Sequence, residues 1–152
     1  MRQAALRSPP LRVTRTAMAN PYAAQYASID LHARIEDASP HRLIQMLMEG
    51  AQQRLAQAHG AIERGDPVVK GEQIGRAIAI IGGLQGSLDI ERGGELAANL
   101  DELYSYMQRR LLEANRDSSI AAIEEVANLL REVKTAWDAI PVDYHHIQPP
   151  TP

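Results

Sequence analysis

LDIERGGELAANLDELYSYMQRRLLEAN, residues 88–115, decides the fold of this chain. The pair Gly93-Gly94 allows positive φ and marks a corner between two helices. Beyond it, Leu96, Leu100, Leu103, Met107, Leu111 and Ala114 recur at helical spacing and form one apolar stripe. Tyr106 and Leu112 fall off that stripe, beside Arg109, Arg110 and Glu113. A helix that serves only a core has little use for them there. Tyr106, Arg110 and Leu112 are therefore candidate partner-binding residues.

The segment upstream of the corner is rich in glycine. A helix is expected from about residue 68 to 88, with Ile74, Ala77, Ile78, Ile81, Leu84 and Leu88 on one face. Gly75, Ala79, Gly82 and Gly86 fill the neighbouring face, and no charge occurs between Ala77 and Leu88. Glycine costs up to ~1 kcal/mol relative to alanine inside a helix, so this one needs contacts on more than one side. One reading of the glycine face is close packing of two bundle helices; the other is a partner surface. Ile74, Ile78, Ile81, Gly82, Leu84 and Gly86 join the partner candidates on the second reading.

Further out, Ser39-Pro40 is a helix start, with Ser as N-cap and Pro at the first helical position. Leu43, Leu47, Ala51, Leu55, Ala58 and Ile62 form the expected buried stripe, and Gly65-Asp66-Pro67 ends that helix. Leu43 and Leu47 also stand among the partner candidates. Residues 115–118 read as a helix end and a new start. A last helix then carries Ile123, Val126, Leu130, Val133 and Trp137 at bundle spacing. Asn20-Pro21 opens a short helix with Tyr22 and Tyr26 on one face, both candidates for pinning that helix or touching a partner. The fold class expected is all-α: an antiparallel four-helix bundle with a short N-terminal helix acting as a cap. The expected organisation is a disordered extension over 1–17, a helical domain over 18–140 and a disordered Pro-rich tail over 141–152.

Composition agrees with an aliphatic helical core: the 152 residues include no Phe, one Trp and no Cys. Disulfide and thiol chemistry are excluded. Arg2, Arg7, Arg12 and Arg15 sit in the first 17 residues with no acid; the remaining 12 basic residues face 19 acidic ones, about −7. An acidic body disfavours nucleic acid and anionic lipid as partners. No apolar run reaches the ~18 residues of a membrane span. The histidines (His32, His41, His59, His145, His146) lack metal-ligand spacing. Glu91, Glu95, Asp101 and Glu102 read as dipole compensation at a helix start rather than as catalytic carboxylates. The glycines are followed by no Gly-Lys-Ser/Thr. No catalytic, cofactor or metal residues are assigned.

Three stretches resemble the flagellin-specific export chaperones of the FliS family: residues 88–115, ASPHRLIQMLMEGA at 38–51, and, more weakly, NPYAAQY at 20–26. The resemblance covers about residues 18–140. It implies a cytoplasmic chaperone, not an enzyme and without cofactor. Such a protein binds the C-terminal segment of flagellin, prevents early polymerisation, and delivers its client to the flagellar type III export apparatus. The resemblance also implies contact with the export-gate protein when loaded, no membrane insertion, and a monomer or weak dimer. The sequence departs from the family pattern at its N-terminal extension, its Pro-rich tail, its Gly-rich third helix, and Met48-Glu49, where Tyr-Asp is usual. A helical-bundle regulatory adaptor without an export role is the alternative.

Overall fold

The computed structural model describes residues 38–144. Helix α1 spans Pro40–Arg64, α2 Pro67–Gly86, α3 Ile90–Asp117 and α4 Ile120–Asp138; a short 3-10 turn, Val142–Tyr144, follows. Each helix packs on its neighbour in sequence, and α1 packs on α4, which closes a ring of four. Connections this short make the neighbours antiparallel. Among the described residues there is no strand. The expected N-terminal cap helix, with Tyr22 and Tyr26, lies outside the described residues.

Local chemistry places each boundary. Ser39 accepts a hydrogen bond from the Arg42 N–H (3.1 Å), and Pro40 fills the first helical position. Gly65 closes α1 in the left-handed region, φ 69°, while the Asp66 N–H donates to the Ala61 carbonyl at 2.8 Å. Asp66 at once caps α2 by accepting from the Val69 N–H, so two residues turn the chain. Asp89 and Ser119 cap α3 and α4 in the same way. Gly94 interrupts α3 after one turn (φ 58°, ψ −137°), as the Gly-Gly corner leads one to expect. Its neighbour Gly93 is needed for space: a Cβ there would lie 2.5 Å from that of Ala97.

The core draws four residues from each helix. Met48, Ala51, Leu55 and Ala58 come from α1; Ile74, Ala77, Ile81 and Leu84 from α2; Tyr104, Met107, Leu111 and Ala114 from α3; Ala122, Ile123, Val126 and Leu130 from α4. The first three sets repeat at 3,4,3, the spacing of a bundle seam. Two expected stripes are corrected. On α1 the buried line runs through Met48, whereas Leu43 and Ile62 are half-buried and Leu47 is 38% exposed. On α3, Tyr104 replaces Leu103 in the core, and Leu96 is 70% exposed while Ala97 beside it is buried. Burial pushes the Tyr104 phenol up to about 12.

The open end of the ring is fastened by a clasp. His41, at the start of α1, stacks on Trp137, near the end of α4, at 4.9 Å between ring centroids and 7° between planes. The Trp137 indole N–H donates to the His41 carbonyl (3.0 Å), and His41 Nε2 lies 2.7 Å from the Trp137 carbonyl and donates to it. One turn further on, Gln45 donates to Asp138 at 2.7 Å, and Lys134 pairs with Asp138 at the same distance.

Candidate functional site: the outer face of α2

The helix that was hardest to explain from propensity turns a face of glycine and alanine outward. Its inner face is spent on the core: Ile74, Ile81 and Leu84 are each buried to 1% exposure or less. This corrects their place among the partner candidates, because no partner reaches them while the bundle is closed. Its outer face carries Gly75, Ala79, Gly83 and Gly86, all exposed, with Gly82 half-buried beside them. A Cβ at Gly75, Gly83 or Gly86 would meet nothing within 4 Å. Close packing of a bundle neighbour therefore does not account for those three glycines. They leave a shallow, uncharged ridge of nearly bare helix backbone.

Apolar side chains flank this ridge. On the α1 side, a Cβ at Gly50 would sit 3.7 Å from Ile80 Cδ1, and Arg54 donates to Gln73 at 3.1 Å. That register brings Leu47 level with Ile80 and Gly83, and Leu43 level with Gly86 one turn further on. On the α3 side, a Cβ at Gly82 would lie 3.7 Å from Gln108 Oε1, and one at Gly71 would lie 3.9 Å from Asn115 Oδ1. Leu112 thus falls level with the turn between Gly75 and Ile78, and it is 60% exposed. Ile78 is half-buried against the core. Of the sequence candidates, the fold thus brings Leu43, Leu47, Ile78, Gly82, Gly86 and Leu112 to one surface built around α2.

Polar groups at the α2–α3 seam are spent on rigidity. Gln85 donates to Asp101 Oδ1 (2.9 Å) and to Ser105 Oγ (2.7 Å), while Gln108 donates to Gln85 Oε1 (2.7 Å). This ladder joins α2 to α3 beside the ridge; Asp101 was read in the sequence only as dipole compensation, and Gln85, Ser105 and Gln108 were not singled out. Only their i,i+3 and i,i+4 spacing signals a shared face.

Tyr106 and Arg110 lie elsewhere, on the α4 side of α3. Tyr106 donates to Glu125, and Arg110 Nε donates to the other oxygen of the same carboxylate at 2.6 Å; Arg110 also reaches Glu113 at 3.0 Å. The Arg110 bond, assisted by the Tyr106 hydroxyl, holds the Glu125 carboxyl below the usual range. The same carboxylate raises the Tyr106 phenol and the Arg110 guanidinium. These two side chains tie helix to helix. The Arg109 guanidinium lies 6.0 Å from the Tyr106 ring centroid.

Among the described residues, no group of three or more His, Asp or Glu is placed to hold a metal ion, and no helix is long and apolar enough to cross a membrane.

The sequence profile described as "Flagellar protein FliS" matches residues 21–143, the four helices included. The chain belongs to the FliS family. It is 56% identical over 116 residues to the flagellar secretion chaperone FliSB of Pseudomonas aeruginosa, covering 76% of this chain and 92% of that protein. The flagellar secretion chaperone FliS of Salmonella typhimurium is 49% identical over 116 residues, covering 76% of this chain and 86% of that one. That of Vibrio cholerae is 40% identical over 122 residues, 80% and 90% respectively. The whole described bundle therefore lies within a FliS fold, α2 and its bare face included.

Proposed function

We propose that this FliS-family chain is an export chaperone for flagellin. In this reading it takes the C-terminal segment of its client as an amphipathic helix laid over α2. The client's apolar side chains lie on Leu43, Leu47 and Ile80 to one side and on Ile78 and Leu112 to the other. The observation that carries the reading is the outer face of α2. A bundle helix that had only to fold would present charged residues there, yet this one presents glycine and alanine. Bare backbone lets a second helix approach closely, and the flanking leucines and isoleucines supply the buried area.

The physics is coupled folding and binding. Flagellin termini stay unfolded until the filament assembles, so they are exposed to self-association. Covering one such segment blocks early polymerisation, and the acidic body keeps the complex soluble. No covalent step is needed. The loaded chaperone then carries its client through the cytoplasm to the type III export apparatus, where the export gate is the second partner. Tyr22 and Tyr26 belong to the same reading as residues that guard or join the partner surface.

Isothermal titration with full-length flagellin, and with flagellin lacking its C-terminal segment, tests this. A 1:1 complex is expected with the full-length client only. It should show a negative heat-capacity change and a gain of helix by circular dichroism. Equal binding of the truncated client would reject the reading and leave a regulatory adaptor.

A further inference from the structure

Arg76 stands apart from the other cations of the bundle. Arg42, Arg92, Arg110, Arg116 and Lys134 each meet a carboxylate, and Lys70 donates to Ser118. Among the described residues, Arg64, Arg76 and Arg109 make neither a hydrogen bond nor an ion pair; Arg64 and Arg109 are exposed, whereas Arg76 is half-buried. Glu72 lies one turn before Arg76, the usual position of an intrahelical partner, and the two do not pair. A guanidinium with no counter-charge beside it is free to take a carboxylate brought to it, and that bond is charge-assisted.

Its position gives that carboxylate a place. Arg76 lies in the row Gln73, Arg76, Ile80 and Gly83, which faces Leu43, Leu47, Gly50 and Arg54 across the α1–α2 seam. No Asp or Glu stands in these two rows, and Arg54 is already engaged with partners of its own. From Ile80 to Arg76 is one helical turn, about 6 Å. A segment seated on the apolar part of the seam would bring a side chain one turn further along over Arg76.

We propose that Arg76 is a specificity-determining anchor for an Asp or Glu side chain of the client segment, one helical turn from the apolar residue that covers Leu47 and Ile80. This rests on the export-chaperone reading and adds the register to it. The apolar ridge holds the segment but is tolerant of sliding along α2. One charged pair at a fixed level selects a single position and rejects apolar helices that lack the acid.

The test is titration of the flagellin C-terminal segment into the full chain and into Arg76→Gln, Arg76→Lys and Arg76→Glu, at low and at moderate salt. Among the described residues Arg76 has no polar partner, so all variants should melt close to the parent. Arg76→Gln should bind roughly three- to tenfold more weakly, with a flatter salt dependence. Arg76→Lys should keep most of the salt dependence, and Arg76→Glu should bind worst. Changing each client acid in turn to its amide should reveal one position whose loss has no further effect on Arg76→Gln. A lysine at that position should restore binding to Arg76→Glu. Parent-like affinity and salt dependence of Arg76→Gln would overturn the inference while leaving the chaperone reading intact. So would a segment that loses affinity only when its terminal carboxylate is amidated. Failure of the parent chain to bind the segment would overturn the chaperone reading and this inference together.

Discussion

Replacing Gly75 and Gly83 together by alanine separates folding from binding on the same helix. Both lie inside α2, neither has positive φ, and a Cβ at either would meet no atom within 4 Å. Alanine in place of glycine in an exposed helix interior is worth ~0.5–1 kcal/mol per site. The pair should therefore stabilise the bundle by ~1–2 kcal/mol, since the sites are two turns apart on an open face and should add. For a folded unit of this size that is roughly 4–8 °C in Tm. The same two methyl groups stand up from the ridge where a client helix would lie closest. Affinity for the flagellin C-terminal segment should fall about tenfold, the cost of a modest overpacking strain. Thermal melting followed by circular dichroism, with calorimetric titration of the same samples, reads both effects. A lower Tm would show that the glycines serve packing inside the bundle and would refute the open ridge. A higher Tm with unchanged affinity would refute its role in client binding.

Other expectations come from the core, the ties between helices and the end clasp. Leu84→Ala removes a fully buried side chain from the α2 seam and should cost about 2–5 kcal/mol in a denaturant titration. Glu125→Gln should lower Tm at neutral pH by loosening Tyr106 and Arg110. The folded Glu125 carboxyl sits below its usual value, so its contribution is present above the ordinary carboxylate range and disappears as pH falls through the depressed folded value. The Tm gap between parent and variant should thus close in acid, and a gap independent of pH would contradict the ion-pair account. Tyr104, raised to about 12, gives the opposite sense: its neutral form favours the fold below pH 10, and that stability drains away as pH rises through 12. Absorbance titration should find Tyr104 ionising late, alongside the raised Tyr106 phenol, and Tyr104→Phe should remove the component near 12. Trp137→Phe keeps a ring against His41 but loses the N–H donated to the His41 carbonyl, for a cost of ~1–2 kcal/mol seen by chemical denaturation.

The helical frame was legible because its signals are local. Ser39-Pro40 and Gly65 act within one turn of themselves, and they cap and close α1 as their side chains and backbones dictate. Gly94 takes the positive φ that a corner between two helices requires. The four-helix order follows from periodicity and short connections alone. The phase of the stripes was less legible. Leu47 and Met48 are adjacent and both apolar, so periodicity does not choose between them; packing against α2 and α4 does, and it buries the methionine. Leu96 is exposed while Ala97 beside it is buried, so there too packing shifts the buried line by one residue from the stripe that spacing suggests.

The site was legible in kind and incomplete in detail. A charge-free arc with five glycines signals an unusual helix, but Ile74 and Gly75 are consecutive in sequence and opposite in role. Assigning the inner and outer faces requires knowing which neighbours α2 has. The Tyr106–Glu125–Arg110 contact pairs positions 15 to 19 residues apart on two helices, which no spacing on one helix can announce. Arg76 was missed for the same reason: alone in sequence it is an ordinary helical cation with Glu72 at hand. Only the fold shows that Glu72 leaves it unpaired and that the seam beside it holds no acid. A bundle that keeps a bare ridge, two apolar flanks and one uncompensated cation on a single helix has left part of its own packing and pairing unmade. In the proposed reading the missing half comes from the client: apolar along most of its length, able to become helical, and acidic at one point. The α2 ridge thus ties the weak helix in the sequence to the client in the proposed function. On that proposal, the helix is intrinsically poor because the surface that would have stabilised it is reserved for a segment that arrives unfolded.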